Sequence, residues 1–145
     1  MNIFKIADNE SRLTQQEIAH ALRQSLEDRH PRRVLILPPD FTRYHSNAGL
    51  ITNTYYHILQ NMGAEVDIMP ALGTHEPMTE EQALAMFGDV PYEKLIPHNW
   101  RTDVLKVGEV PSSYLEDVTE GLWHEPISVE INRRVRDEQY DLIIS

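Results

Sequence analysis

Four consecutive apolar residues, Val34, Leu35, Ile36 and Leu37, constrain this chain more than any other feature. A strand with one wet face alternates apolar and polar side chains. A run without alternation fits a strand covered on both faces, the usual state of strands in parallel sheets. The flanking segments are of the kind such a sheet needs. Before the run, "LTQQEIAHALRQSLEDRH" has a capping-box pattern at Thr14 and Glu17, Ile18, Leu22 and Leu26 recurring along one face, and Pro31 as a stop, which predicts a helix. After it, "AGLITNTYYHILQNMG" aligns Leu50, Thr54, Ile58 and Met62 and ends on Gly63, a second helix with a glycine cap. "AEVDIMPALG" predicts a second strand, and "MTEEQALAMFG" a short helix with Thr79 and Gln82 as a capping box and Gly88 as its stop. Weaker strands are expected at 94–96, 104–107 and 127–131, a helical turn in "NRRVRDEQY", and a last strand in "DLIIS".

Strand and helix alternating in this rhythm predict an α/β fold. We expect three layers: a mainly parallel sheet with helices on both faces, Rossmann-like, joined by right-handed crossovers. At 145 residues the length is that of a single α/β domain over 1–145. The stretch 108–126, with Pro111, Gly121 and Pro126, is the longest irregular region, an excursion or an edge hairpin. The last strand has no helix after it and no loop at its carboxyl end, where such sheets meet their ligands. The expectation is therefore a truncated domain, the N-terminal part of a longer protein.

Composition narrows the partners. The net charge is −10, which argues against nucleic acid and anionic membranes, because no broad surface would neutralise phosphates. A small anion needs only a few local cations and is not excluded. There is no cysteine, so disulfides and thiolate chemistry are absent, which suits a cytoplasmic protein. No apolar run approaches the roughly 20 residues that span a bilayer, and the start shows no signal-peptide pattern.

Two strand-to-helix loops hold the chemistry: "PPDFTR" after the first strand and "ALGTHEP" after the second. Strands joined by one helical crossover are usually neighbours. Asp40, Thr42 and Arg43 should therefore face Thr74, His75 and Glu76 across a few ångströms to about 10 Å, the spacing of one or two strands. Arg43 has the fork that clamps a carboxylate or phosphate. His75 is a proton carrier near neutral pH. Gly73 permits a sharp turn or a close backbone approach. Each also has a plain reading: Asp40 as a turn or cap residue, Arg43 as a solvated cation, His75 as a turn residue. His45 flanks the first loop. His20 and His57 fall inside helices, and His98 reads as a structural histidine beside Trp100. No histidine pair has metal-ligand spacing, and no GxGxxG or Walker loop is present.

At these loops the chain resembles the N-terminal domain of the lactate racemase family, the nickel-pincer nucleotide enzymes. The D-x-T-R motif of that family is matched by Asp40-Phe41-Thr42-Arg43, and its A-x-G-T-H motif by "ALGTHEPMTEEQ", Ala71 to Gln82. "NMGAEVDIM", "HNWRTD" and "VEINRRV…YDLIIS" fit as well, so the likeness covers most of the chain from about position 30. The resemblance implies racemisation or epimerisation of a small 2-hydroxy acid by hydride transfer to a nickel-pincer nucleotide. It implies that His75 is one of two acid–base histidines and that Arg43 binds the substrate carboxylate, with Asp40, Thr42, Gly73 and Thr74 shaping the pocket. Glu76 stands where members often carry Arg, and Tyr44 where Pro is common; both departures bear on the choice of substrate. The second histidine, the cofactor-linking lysine and the nickel-binding histidine lie beyond the strand matching "DLIIS". The 145-residue chain is thus expected to be inactive alone, to hold no metal and to retain no cofactor. The reading from another class is a non-catalytic α/β module that binds a small anionic ligand.

Overall fold

The structure, a computed structural model, describes residues 3–8, 11–137 and 140–145. Two compact units form: Met1–Pro97 together with Tyr140–Ser145, and His98–Gln139.

The first unit is an α/β fold built on a three-stranded parallel sheet. Strand β1 (Arg33–Ile36) lies between β2 (Glu65–Ile68) and the chain's last strand, β5 (Leu142–Ile144). The apolar run behaves as its lack of alternation requires: Val34 and Leu35 are 0% exposed and Ile36 3%. Val34 and Ile36 are in register with Val66 and Ile68 on one side and with Leu142 and Ile144 on the other. These side chains form one face and meet Leu26, Tyr56, Ile58, Leu59, Ala83, Met86 and Phe87 in a single core cluster. Each such side chain contributes about 1.5–3 kcal/mol when fully buried.

Three helices close that core, each started by a feature visible in the sequence. In α1 (Gln15–Ser25) the Thr14 hydroxyl accepts from the Glu17 backbone N–H while the Glu17 carboxylate accepts from Thr14. In α3 (Glu80–Phe87) Thr79 and Gln82 reciprocate in the same way. The first helix ends at Ser25, well before Pro31, and Asp28 then adopts a left-handed conformation with φ 64°. In α2 (Ala48–Asn61) the buried residues are Gly49, Thr52, Tyr56, Ile58 and Leu59. The expected line through Leu50, Thr54, Ile58 and Met62 is therefore rotated off the core, and Met62 is 42% exposed. The cause is that α2 packs against both α1 and α3, so its buried arc is set by two neighbours as well as by the sheet. Gly49 sits at the α3 contact, where a Cβ would fall 2.0 Å from the Met86 carbonyl oxygen.

The strand expected at 94–96 does not form. Residues Tyr92–Lys94 make a short 3-10 helix, and Leu95 makes one isolated bridge to Ile68, with Ile96 N donating to the Ile68 carbonyl. Pro97 has no N–H with which to continue a ladder.

In the second unit, β3 (Val104–Val110) and β4 (Ile127–Asn132) pair antiparallel, from Val104 opposite Asn132 to Val110 opposite Ile127, with an irregularity between Lys106 and Gly108. They form a sheet of their own. The stretch read as irregular contains the end of β3 and a helix, α4 (Ser112–Val118), which buries Leu115. A last short helix, α5 (Arg134–Asp137), supplies the turn expected in "NRRVRDEQY", whose residues 138 and 139 lie outside the described ones.

Candidate active site

The loops after β1 and β2 leave the sheet side by side because the parallel pairing continues past the strands. Met69 N donates to the Ile36 carbonyl at 2.9 Å, Ala71 N donates to the Pro38 carbonyl at 2.8 Å, and Pro39 bridges Ala71. The first loop is not irregular: Phe41–Ser46 forms a 3-10 helix, interrupted at Arg43 (φ −106°, ψ 24°) and capped by Asp40. Phe41 tucks into the core. In the second loop, His75 N donates to the Leu72 carbonyl across a tight turn whose Gly73 has φ 58°. A side chain at Gly73 would meet nothing within 4 Å, so the glycine answers a backbone need there and not a space limit. Leu72 and Met78 are buried on either side of this exposed turn and anchor both its ends in the core.

These two loops bring Asp40 and His75 into direct contact. Asp40 Oδ2 lies 2.6 Å from His75 Nδ1. Asp40 Oδ1 accepts from the Thr42 hydroxyl at 2.5 Å and from Thr42 N at 3.1 Å. Burial alone would raise the Asp40 pKa, but the hydrogen bonds from Thr42 and His75 outweigh it and hold the carboxyl below its ordinary value. Asp40 is therefore an ionised acceptor near neutral pH, and the hydrogen of this bond resides on His75 Nδ1. In the neutral form of the ring the other nitrogen, Nε2, then carries the lone pair. The Asp40 side chain is 8% exposed and that of His75 58%, so the carboxylate is sheltered while the imidazole remains accessible.

Asp40 caps the 3-10 helix through Oδ1 and meets His75 through Oδ2. Its partner is His75, with Thr42 as its own support. Arg43 is exposed, its backbone N–H donates to the Asp40 carbonyl at 3.0 Å, and its side chain makes no ion pair among the described residues. Thr74 and Glu76 are exposed in the His75 loop, and His45 is exposed near the end of the 3-10 helix. His98 belongs to the second unit, where it bonds the buried Asn132 at 2.9 Å. The sequence reading missed His57, whose Nε2 lies 2.9 Å from Asp89 Oδ1, a carboxylate that also accepts from Asn53. This cluster lashes α2 to the turn after α3, and no spacing in the sequence marks it. Among the described residues no group of three or more His, Cys, Asp or Glu side chains is placed to hold a metal ion.

Fold and site together define an α/β domain whose first two strand-end loops join a sheltered carboxylate to an accessible histidine. The chain belongs to the lactate racemase N-terminal domain family, which matches residues 5–144. It is similar to the crystal structure of a Thermotoga maritima protein, with 27% identity and a TM-score of 0.80, over 90% of this chain and 32% of that one. The lactate racemase apoprotein from Thermoanaerobacterium thermosaccharolyticum shares its fold, with 20% identity and a TM-score of 0.61, over 97% of this chain and 34% of that one. The chain thus spans about a third of the length of these solved structures. No curated protein matches it.

Proposed function

We propose that this chain supplies an acid–base histidine and a carboxylate anchor to an enzyme that racemises or epimerises a small 2-hydroxy acid. The observation that carries the reading is the 2.6 Å contact between Asp40 and His75. Removing hydrogen from a carbinol carbon requires a base for the hydroxyl proton. His75 Nε2 is that base: it takes the proton, and Asp40 stabilises the imidazolium from the other side of the ring. Returning the proton completes the exchange. Arg43 holds the substrate carboxylate with its fork, while Thr42, Gly73 and Thr74 set the loop geometry. The resemblance attaches the hydride chemistry to a nickel-pincer nucleotide, and the groups that bind it would lie outside the described residues. The share of these residues is binding and proton transfer.

A module that merely bound anions would gain nothing from a sheltered carboxylate against its histidine, since that charge repels the ligand. The pairing favours proton transfer over simple anion capture. No described helix is long and apolar enough to cross a membrane, and with the absence of cysteine this supports a cytoplasmic setting.

The test is a titration of the chain with (R)- and (S)-lactate and with a bulkier 2-hydroxy acid, followed by 15N NMR of imidazole and guanidinium nitrogens. Both enantiomers of at least one acid should perturb His75 Nε2 and the Arg43 side chain, and Arg43→Lys should weaken binding roughly tenfold. Hydroxy acids that bind without touching either resonance would end this reading.

A further inference from the structure

We propose that the closed end of the β3–β4 hairpin is a docking surface for a basic, amphipathic helix of a partner protein. Segment 111–126 joins Val110 to Ile127, which pair across the hairpin. It carries α4, which buries Leu115, and a turn held by hydrogen bonds. Tyr114 and Val118 stand four residues apart on one face of α4, and both are more than half exposed. Leu122 follows at 87% exposed, and Trp123 is half exposed. So many large apolar side chains in so short a segment exceed the single ones that any surface scatters. The turn fixes them in place. Glu120 N donates to the Asp117 carbonyl at 3.3 Å and Gly121 N to the Glu116 carbonyl at 2.7 Å, with both residues left-handed at φ 54° and 82°, the pattern of a Schellman cap. Trp123 N donates to the Thr119 hydroxyl at 3.0 Å, which itself donates to the Leu115 carbonyl at 2.6 Å. The indole Nε1 donates to the Glu125 carbonyl, so Trp123 presents apolar ring with its donor already used.

Charge selects the occupant. No lysine or arginine lies between Lys106 and Arg133, whereas Glu109, Glu116, Asp117, Glu120, Glu125 and Glu130 do. Glu109 is paired with Lys106, and Glu116 with His124. Asp117, Glu120 and Glu125 are exposed and make no ion pair among the described residues. Apolar side chains beside free carboxylates complement a helix that is apolar on one face and carries lysine or arginine along its borders. The ridge of Tyr114 and Val118, at four-residue spacing, is relief that a second helix packs against. Tyr and Trp are the residues that most often anchor such contacts. A second copy of this chain would bring acid onto acid, each copy carrying a net charge of −10. An anionic membrane would be repelled by the same carboxylates that draw a basic helix in.

The probe is a peptide of about 18 residues made of leucine and lysine, with the leucines at helical spacing. It is set against a scrambled peptide of the same composition. Each is titrated into the 145-residue chain at physiological salt and followed by calorimetry and by amide and indole NMR. The amphipathic peptide should bind saturably and roughly tenfold tighter than the scrambled one, with shifts confined to residues 111–131 and the Trp123 indole. Leu122→Gln and Tyr114→Ala, both exposed positions, should each weaken binding roughly tenfold with amide dispersion unchanged. Asp117→Asn combined with Glu120→Gln should weaken it and lessen its salt dependence. Glu81→Gln, which removes an exposed acid in the first turn of α3, should leave affinity unaltered. Equal affinity for the two peptides, or equal effects of Glu81→Gln and Leu122→Gln, overturns the proposal, because charge alone would then account for binding. So does the absence of saturable binding. It is equally overturned by a dimer of this chain that Leu122→Gln dissolves, or by tighter binding to phosphatidylserine vesicles than to the peptide.

Discussion

Asp40 and His75 stand 35 residues apart in sequence and 2.6 Å apart in the fold. The parallel pairing of β1 with β2, carried on by the Pro39–Ala71 bridge, delivers both loops to one place. Asp40→Asn tests what the contact does. An amide keeps the shape but loses the charge and can turn its NH2 toward the ring, so the preference for hydrogen on Nδ1 disappears. Imidazole 15N shifts should change from one tautomer to a mixture or to its reverse. In the assembled, cofactor-loaded enzyme, turnover should fall by about 10²–10⁴, the scale of general acid–base catalysis. Unchanged tautomer and turnover would remove Asp40 from the machinery.

The same carboxylate makes stability acid-sensitive. Its folded pKa is depressed below the ordinary 3.8. The stabilisation it brings is therefore complete above that unfolded value and is lost as pH falls through the lower folded one. Asp141 shifts in the same direction, chiefly because it accepts from the backbone N–H groups of Arg32 and Arg33. Denaturation midpoints should decline below about pH 4, and Asp40→Asn should flatten that decline without abolishing it, because Asp141 remains. A variant with the full acid slope would show that Asp40 gains nothing in the folded state.

The residues that were legible are those whose signal is local. The capping boxes at Thr14 and Thr79 announce helices because the partner sits three residues on, and the Val34–Leu37 run announces a buried strand because it needs no partner to be read. What was not legible depends on packing between distant segments. The buried arc of α2 was misread because α1 and α3 share it with the sheet. Helix α4 was hidden by Pro111 and Gly121, which mark its boundaries and not a loop throughout. At the site, topology placed the two loops together, but the partner of Asp40 follows from side-chain geometry that no spacing encodes.

Gly49→Ala separates propensity from packing. Alanine in an exposed helix is favoured over glycine by up to about 1 kcal/mol. At this position the added Cβ would meet the Met86 carbonyl oxygen at 2.0 Å, and Met86 C at 2.9 Å, so backbone must move. Overpacking of that kind costs about 1–3 kcal/mol, which outweighs the propensity gain. Urea denaturation should show a lower midpoint with an unchanged slope. A stabilised variant would mean that α2 and α3 are free to separate.

Asn132→Ala examines the second unit alone. The side chain is buried and serves two partners at once, accepting from Arg134 N and donating to His98 Nδ1. Truncation leaves a donor and an acceptor without a mate, at a cost of about 1–3 kcal/mol for a buried polar group. The loss should be local. Amide hydrogen exchange should accelerate in β3, β4 and residues 98–103, while amides of β1 and β2, held in the other unit, keep their protection. Faster exchange in Asn132→Ala confined to these segments identifies the amide as the clasp of the hairpin's open end. Equal exchange in the variant and in the wild type would show that the backbone ladder between Val104 and Asn132 suffices.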